Sequence, residues 1–192
     1  MNKFNLIGVV ANEPQKAYIS NRRQMYGFTV HCNSKNFTEC IKVVIEENDL
    51  VSVKQGHKYF FKGKIVSRMF NGKQKVYMLA NIIVPTNAED ENCLEIVGKK
   101  SKNSEKMITQ QRCGSRYLFT IETFDKPMNF VHAKAFNEVS TIAYEIPVGT
   151  YIYARGKVQT KSKVVDGEVK TVSDFIVYYV RLANEREVKN ED

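Results

Sequence analysis

The sequence has no long apolar segment. None of its apolar runs approaches the roughly 20 residues that a helix needs to cross a bilayer, so we expect no membrane insertion. The apolar start, residues 6–10, follows Asn5 and precedes Asn12-Glu13-Pro14, where a signal peptide would carry small residues for cleavage. We interpret this start as the first β-strand of a cytoplasmic protein.

Cysteine is also scarce. The four cysteines are Cys32, Cys40, Cys93 and Cys113. They form no CxxC pair of the zinc-ribbon type, and they are too sparse for the disulfide framework of a small secreted protein. The spacing therefore predicts free, buried thiols and no metal site.

Catalytic motifs are missing as well. The sequence contains no phosphate-binding loop and no nucleophile–base motif at a familiar spacing. A two-metal nuclease needs clustered carboxylates, and residues 1–85 carry only five: Glu13, Glu39, Glu46, Glu47 and Asp49. We therefore predict a binding protein that is not an enzyme and uses no cofactor.

What the sequence does have is positive charge, and its net charge is +8. Residues 1–85 carry 13 Lys and Arg against 5 Asp and Glu, and residues 93–182 carry 14 against 9. The segments 86–92 and 183–192 are acidic. Two basic bodies favour a polyanionic partner, although a lysine-rich proteome would give the same balance without one.

The basic bodies are copies of one pattern. Gly56 is followed seven residues later by Gly63-Lys64, and Gly149 is followed seven residues later by Gly156-Lys157. Other features recur at nearly the same offset, including Phe28-Thr29-Val30 and Phe119-Thr120-Ile121. The repeat predicts a domain over 1–86, an acidic linker over 87–92, a second domain over 93–183 and a short acidic tail over 184–192.

Each copy has a β-rich pattern. In the first copy, residues 26–32, 39–45, 58–66 and 75–84 are rich in β-branched and aromatic side chains. One stretch per copy looks helical, over 46–54 and 137–144, and each precedes a glycine. Three strands, a short helix and two strands per copy predict an all-β protein of two tandem five-stranded OB-fold barrels.

Alternation along the strand after each helix places aromatic rings among cations. Phe60, Lys62 and Lys64 share one face in the first copy, opposite Tyr59 and Phe61. In the second copy the shared face holds Tyr151, Tyr153, Arg155 and Lys157. Such a face suits single-stranded nucleic acid, because bases stack on aromatic rings and cations contact phosphates. The alternative is that these rings cover a barrel end or a dimer contact.

The third strand repeats this arrangement unevenly. In the second copy its outer face carries two aromatic and two basic side chains, namely Phe130, His132, Lys134 and Phe136. The equivalent face in the first copy has Lys42, with Phe37 just before the strand. We expect the second copy to stack bases here more than the first.

Further cations and one aromatic ring lie in predicted loops or hairpin tips beside these faces. They are Arg22, Arg23, Arg68, Phe70, Lys73 and Lys161, with Lys99, Lys100 and Lys102 after the sixth strand. We expect them to flank a binding groove, with solvated loops as the alternative.

Residues 1–85 resemble the bacterial single-stranded DNA-binding protein family. The motifs are Met1-Asn2-Lys3, Leu6-Ile7-Gly8, Glu13-Pro14, Phe28-Thr29-Val30, Lys42-Val43-Val44, Gly56, Gly63, and Ser67-Arg68 before Phe70. The resemblance implies base stacking at Phe60, Phe70, Phe130, Phe136 and Tyr153. The chain has no tryptophan, on which the family often stacks bases, so Phe and Tyr would replace it. The resemblance also implies a homodimer with four barrels.

These observations predict sequence-tolerant binding of single-stranded DNA during replication, recombination or mobile-element DNA processing. Replication or recombination proteins are the expected protein partners. Two alternatives stay open. One is a protein-interaction module, such as a primosome or recombination accessory, and the other is binding of single-stranded RNA.

Overall fold

The computed structural model describes residues 1–20, 22–33, 38–70, 73–110, 114–125, 129–165 and 168–189. The chain forms two compact units. The N-terminal unit comprises Lys3–Cys93 with Gln159–Ser173, and the C-terminal unit comprises Met1–Asn2, Leu94–Val158 and Asp174–Asp192. Residues 159–173, which the repeat assigns to the second copy, thus cluster with the first.

The described residues of the N-terminal unit form six strands at its start. They are β1 (Asn2–Val10), β2 (Gln15–Ser20), β3 (Arg23–Asn33), β4 (Thr38–Glu46), β5 (Lys58–Phe70) and β6 (Lys73–Pro85), with a 3-10 helix over Glu47–Ser52. Their order in the sheet is β1-β5-β6-β4-β3-β2. β1 also pairs with β3, with Val9 opposite His31, and this pairing closes the barrel. β4 and β6 run parallel.

Among the described residues, the second copy forms five strands and two helices, and the C-terminal unit contains them apart from the parts of the last two strands within residues 159–173. They are β7 (Glu91–Gln110), β8 (Gly114–Thr123), β9 (Asn129–Phe136), α1 (Asn137–Glu145), β10 (Tyr151–Val165), β11 (Glu168–Leu182) and α2 (Glu185–Lys189). Their order is β10-β11-β9-β8-β7. β10 also pairs with β7, with Ile152 opposite Gly98, and closes this barrel. β9 and β11 run parallel, as β4 and β6 do.

Alternating side chains fill each barrel. Phe4, Leu6 and Phe61 are fully buried in the first, and Ile96 and Tyr117 in the second. Burying each large apolar side chain stabilises the fold by about 1.5–3 kcal/mol. The inward positions therefore stabilise the fold, and a ligand on these strands would contact outward positions only.

The glycines of the repeat have the same structural role in both copies. A Cβ atom at Gly63 would lie 2.0 Å from the Leu79 carbonyl oxygen, and one at Gly156 would lie 2.0 Å from that of Ile176. Only glycine allows such a close approach of two strands. Gly56 and Gly149 have φ angles of 80° and 86°, which favour glycine.

The prediction of an all-β protein with OB-fold barrels is confirmed. Three local details differ. β2 was not predicted; its Tyr18 hydroxyl lies 2.7 Å from the Tyr77 hydroxyl, and Tyr18 packs against an apolar cluster that contains Tyr77. The first predicted helix is a 3-10 helix, since it is short and buries none of its residues. The tail contains helix α2.

The cysteine prediction is partly wrong. Cys32 and Cys93 are free and buried, but Cys40 is exposed. Cys40 lies on the outward side of β4, between the inward Glu39 and Ile41. Cys113 lies outside the described residues.

Among the described residues, no helix is long and apolar enough to cross a membrane.

Candidate nucleic-acid interface

OB folds contact oligonucleotides mainly through the second and third barrel strands, and through the connections that follow the first and fourth. Because β2 is an addition to the first barrel, the corresponding face is β3–β4 in the N-terminal unit and β8–β9 in the C-terminal unit. The corresponding connections are the β1–β3 segment, the β7–β8 hairpin and the hairpins β5–β6 and β10–β11.

The β8–β9 face carries the aromatic residues that alternation predicts. Val131, Ala133 and Ala135 point into the barrel and are buried. The residues between them point outward: Phe130, His132, Lys134 and Phe136. Phe136 is 38% exposed, His132 is exposed, and Phe130 is half-buried. The predicted face is confirmed, while its contact with nucleic acid stays a prediction.

Strand register brings a further cation to this face. Arg116 of β8 lies directly opposite Phe136 of β9. Its Nε atom is buried and has no hydrogen-bond acceptor among the described residues. Residues directly opposite each other in an antiparallel pair lie on the same side of the sheet, so Arg116 adds a positive charge beside Phe136. Sequence alone missed Arg116, although its outward side follows from the buried Tyr117.

Two polar side chains on the β8–β9 face already have partners. The Lys134 ammonium forms an ion pair with the Asp174 carboxylate. The His132 Nδ1 atom lies 3.1 Å from the Thr120 hydroxyl, which fixes the orientation of the ring. Because Asp174 offsets the charge of Lys134, Arg116 is the better placed cation for a phosphate.

The β3–β4 face of the N-terminal unit differs. Lys42 and Cys40 are exposed on β4, and His31, directly opposite Cys40, is exposed on β3. The described outer positions of these two strands carry no exposed aromatic ring. The predicted aromatic, Phe37, lies outside the described residues.

The outer face of β5 matches its prediction. Phe60, Lys62 and Lys64 are each half-buried, whereas Tyr59 and Phe61 are inside the barrel. Val84 lies opposite Phe60 and Ile82 lies opposite Lys62. These two aliphatic side chains are 48% and 42% exposed. The face therefore combines one ring, two cations and an exposed apolar strip.

The acidic segment before β7 is fastened to the N-terminal unit. The Asp90 carboxylate accepts a hydrogen bond from the Asn33 backbone N–H at 2.5 Å and pairs with the Lys58 ammonium at 2.6 Å. Lys58 shares the outer side of β5 with Phe60. Its charge is offset by Asp90, so the phosphate contacts on this strand would come from other lysines.

The predicted loop residues have different surroundings. Arg22 is exposed with a φ of 64°, and the exposed Arg23 forms an ion pair with Glu46. Lys161 is exposed on β10. Three others lie at the tip of the β5–β6 hairpin, where the strands are described but these side chains are not: Arg68, Phe70 and Lys73.

The outer face of β10 is also as predicted. Tyr151 and Arg155 are exposed and Tyr153 and Lys157 are half-buried, while Ile152 and Ala154 are inside. The ring of Phe124 stacks on Tyr151 with centroids 5.3 Å apart. The Tyr153 hydroxyl donates to the Glu95 carboxylate at 3.0 Å, and Arg155 Nε lies 3.5 Å from the same oxygen.

One face of the Tyr153 ring is covered by another residue of the chain. The Arg181 guanidinium lies 4.6 Å from the ring centroid, and Tyr179 makes an edge contact at 6.1 Å. A base could stack on Tyr153 only from its other side or after Arg181 moves. Neither Tyr179 nor Arg181 was found from the sequence, because both lie on β11, the strand that follows β10 in the chain.

Arg181 is in turn held by helix α2. Its Nη1 and Nη2 atoms donate to the two carboxylate oxygens of Glu187 at 2.8 and 2.6 Å. Glu187 and Asn184 also exchange backbone–side-chain hydrogen bonds, both of 2.9 Å, in a capping box. The hydrogen bonds from Arg181 and Asn184 lower the pKa of Glu187 to about 2. The hydrogen bonds to Glu187 in turn raise the pKa of Arg181.

The expectation for Lys100 is wrong. Its side chain is only 2% exposed, and its ammonium donates to the carbonyl oxygens of Ala143 and Ile146 at 2.9 and 2.6 Å. These carbonyls lie at the C-terminal end of α1, where backbone acceptors lack partners in the helix. Lys100 therefore caps a helix inside the unit.

No known protein family matches this sequence, and no curated protein matches it as a relative. Its fold is similar to that of the wild-type single-stranded DNA-binding protein from Thermus aquaticus. The TM-score is 0.78 at 13% identity, over 96% of this chain and 94% of the other. This chain has the same tandem OB fold.

A deletion variant of the Thermus aquaticus protein gives a TM-score of 0.79, also at 13% identity, over 96% and 95% of the two chains. The N-terminal domain of PriB from Thermoanaerobacter tencongensis gives 0.40 at 14% identity, covering 45% of this chain and 98% of that domain. At these identities the likeness to the Thermus aquaticus structures establishes the tandem OB fold alone.

Proposed function

We propose that this tandem OB-fold protein binds single-stranded DNA with little sequence preference and acts by binding alone. The observation that carries the proposal is the β8–β9 face, where Phe130 and Phe136 point outward and Arg116 lies opposite Phe136. The similar fold is that of the single-stranded DNA-binding protein from Thermus aquaticus, which supports the same class of ligand.

The geometry suits an extended strand. Phe130 and Phe136 are six residues apart on β9, which corresponds to roughly 20 Å at about 3.3 Å per residue. They would therefore stack on different bases of one strand. Each stacked base contributes about 1–3 kcal/mol, and every base has a face that can stack, so such contacts tolerate any sequence.

Phosphate contacts come from cations around these rings. Arg116 serves the β8–β9 face, Lys42 the β3–β4 face, and Lys62 the outer side of β5. These cations lie on the outward sides of strands in both units, which agrees with the positive charge of both basic segments. We propose that the protein protects or presents single strands during replication, recombination or the processing of mobile DNA.

The direct test is a titration of fluorescently labelled oligo-dT, followed by anisotropy at several salt concentrations. We expect binding that weakens with salt with a log–log slope of about −0.7 for each phosphate contacted. Unlabelled single-stranded DNA should compete, and duplex DNA should not. Matched RNA as a competitor measures the DNA preference. No binding to oligo-dT at low salt would refute the proposal.

One observation favours a second candidate, a contact with another protein molecule. Ile82 and Val84 are exposed beside Phe60 on the outer side of the N-terminal unit. Exposed aliphatic side chains that adjoin an aromatic ring are common at protein interfaces. A homodimer through this strip would have four barrels. Sedimentation of the wild type and of Val84→Ser tests this, since a dimer here should dissociate in the variant.

A further inference from the structure

The outer side of β10 and β11 carries aromatic rings that nucleic acid could use. Tyr151 and Tyr179 are exposed, and Tyr153 lies beside Tyr179. A cation lies against one of these rings, since the Arg181 guanidinium is 4.6 Å from the centroid of Tyr153. This combination of exposed rings and a planar cation is typical of binding surfaces for single strands.

The chain itself already places an anion on this cation. Glu187 receives two parallel hydrogen bonds from Arg181, one to each carboxylate oxygen. A guanidinium holds a phosphate through the same fork of two N–H donors. The Glu187 carboxylate therefore occupies the place, and has the charge, that a backbone phosphate would have.

We infer that Arg181 is a phosphate-binding residue and that Glu187 occupies it in the free protein, so that a DNA phosphate must displace the carboxylate. The inference rests on the proposed function and adds a contact that the sequence did not indicate. Displacement also releases helix α2 from β11.

The displacement is feasible because the Arg181–Glu187 pair is partly exposed. The side chains of Arg181 and Glu187 are 38% and 22% exposed, and ion pairs near the surface contribute little to stability. α2 has only five residues, and a helix of this length is unstable by itself. Tyr153 keeps its hydrogen bond to Glu95, so it can still hold the guanidinium from below when Glu187 leaves.

Glu187→Gln tests the inference by weakening the competitor and leaving Arg181 intact. We expect oligo-dT to bind about two- to fivefold more tightly, the range that corresponds to the loss of one partly exposed ion pair. Glu145→Gln removes the same charge from the exposed end of α1 and should leave affinity unchanged. Equal gains in both variants would show a general charge effect and overturn the inference.

A double-mutant cycle with Arg181→Gln identifies the residue through which Glu187 acts. In the Arg181→Gln background, Glu187→Gln should no longer raise affinity, because the phosphate site is gone. A persistent gain would overturn the inference.

An NMR experiment on the wild type follows helix α2 directly. The backbone amide of Asn184 should lose the chemical shift of the capped helix when oligo-dT is added. An unchanged amide shift in the DNA complex would also overturn the inference.

The two proposals fail in different ways. If the wild type does not bind oligo-dT, the proposed function is wrong and this inference falls with it. If the wild type binds and Glu187→Gln binds equally well, only the role of Arg181 and Glu187 is wrong.

Discussion

Replacement of Phe136 by alanine is expected to weaken binding of single-stranded DNA through the loss of one stacking platform. The ring is 38% exposed, and its outward position on β9 leaves a face for a base. Stacking of one base contributes about 1–3 kcal/mol, so the dissociation constant should rise by about 5- to 150-fold.

A loss of base stacking in the Phe136 variant has to be distinguished from a loss of stability. Phe136 precedes α1 as its N-cap residue but makes no side-chain capping hydrogen bond, so alanine should leave the helix start intact. Phe136→Leu keeps an apolar side chain and removes the aromatic face. We expect leucine to restore any lost stability without restoring affinity. Urea unfolding measures the stability of each variant.

The assay is fluorescence anisotropy with labelled oligo-dT at fixed low salt. Tyr144→Ala is the matched control, because Tyr144 is 57% exposed on α1 and lies outside the β8–β9 face. Phe130→Ala should add to Phe136→Ala nearly independently, since distant sites are usually additive. Unchanged affinity in Phe136→Ala would refute the role of the β8–β9 face. An equal loss of affinity in Phe136→Leu and in the control Tyr144→Ala would refute it as well.

Three further predictions follow from single contacts. Arg116→Gln should reduce the salt slope of oligo-dT binding by about 0.7, the value for one phosphate, and an unchanged slope would exclude this contact. Gly156→Ala should destabilise the protein by about 1–3 kcal/mol in urea unfolding, because its Cβ would collide with the Ile176 carbonyl; wild-type stability would contradict the close approach. The pKa of Glu187 is lowered from 4.5 to about 2, so docking of α2 should be complete above about pH 4.5 and lost as the pH falls through about 2. The Asn184 amide in NMR spectra reports this loss, and a transition centred near pH 4.5 would disprove the ion pair.

Local patterns predict much of the fold and the sides of its strands. The alternation around Phe60 and around His132 gives the correct inward and outward faces, because a strand changes side at every residue. The spacing of Gly63 and Gly156 predicts the repeat, and both glycines turn out to allow the same close strand approach.

The features of the candidate site that the sequence did not predict depend on contacts between residues far apart in the chain. Arg116 joins the candidate site only through the β8–β9 register, which alternation does not determine. Lys100 resembles an exposed loop cation until its acceptors, more than forty residues away, are known. Tyr153 lies on the predicted face, but the cation above it comes from the following strand.

The equivalence of the two barrels has a practical consequence for protein engineering. Since inward residues and close-approach glycines support each barrel, we expect an exchange of the outward positions of β4 for those of β9 to leave the packing inside unchanged. Cys40 and Lys42 of β4 correspond in the repeat to His132 and Lys134. Grafting the aromatic pattern of β9 onto β4 would show whether a barrel with few exposed rings can acquire the ligand preference of its neighbour in the chain.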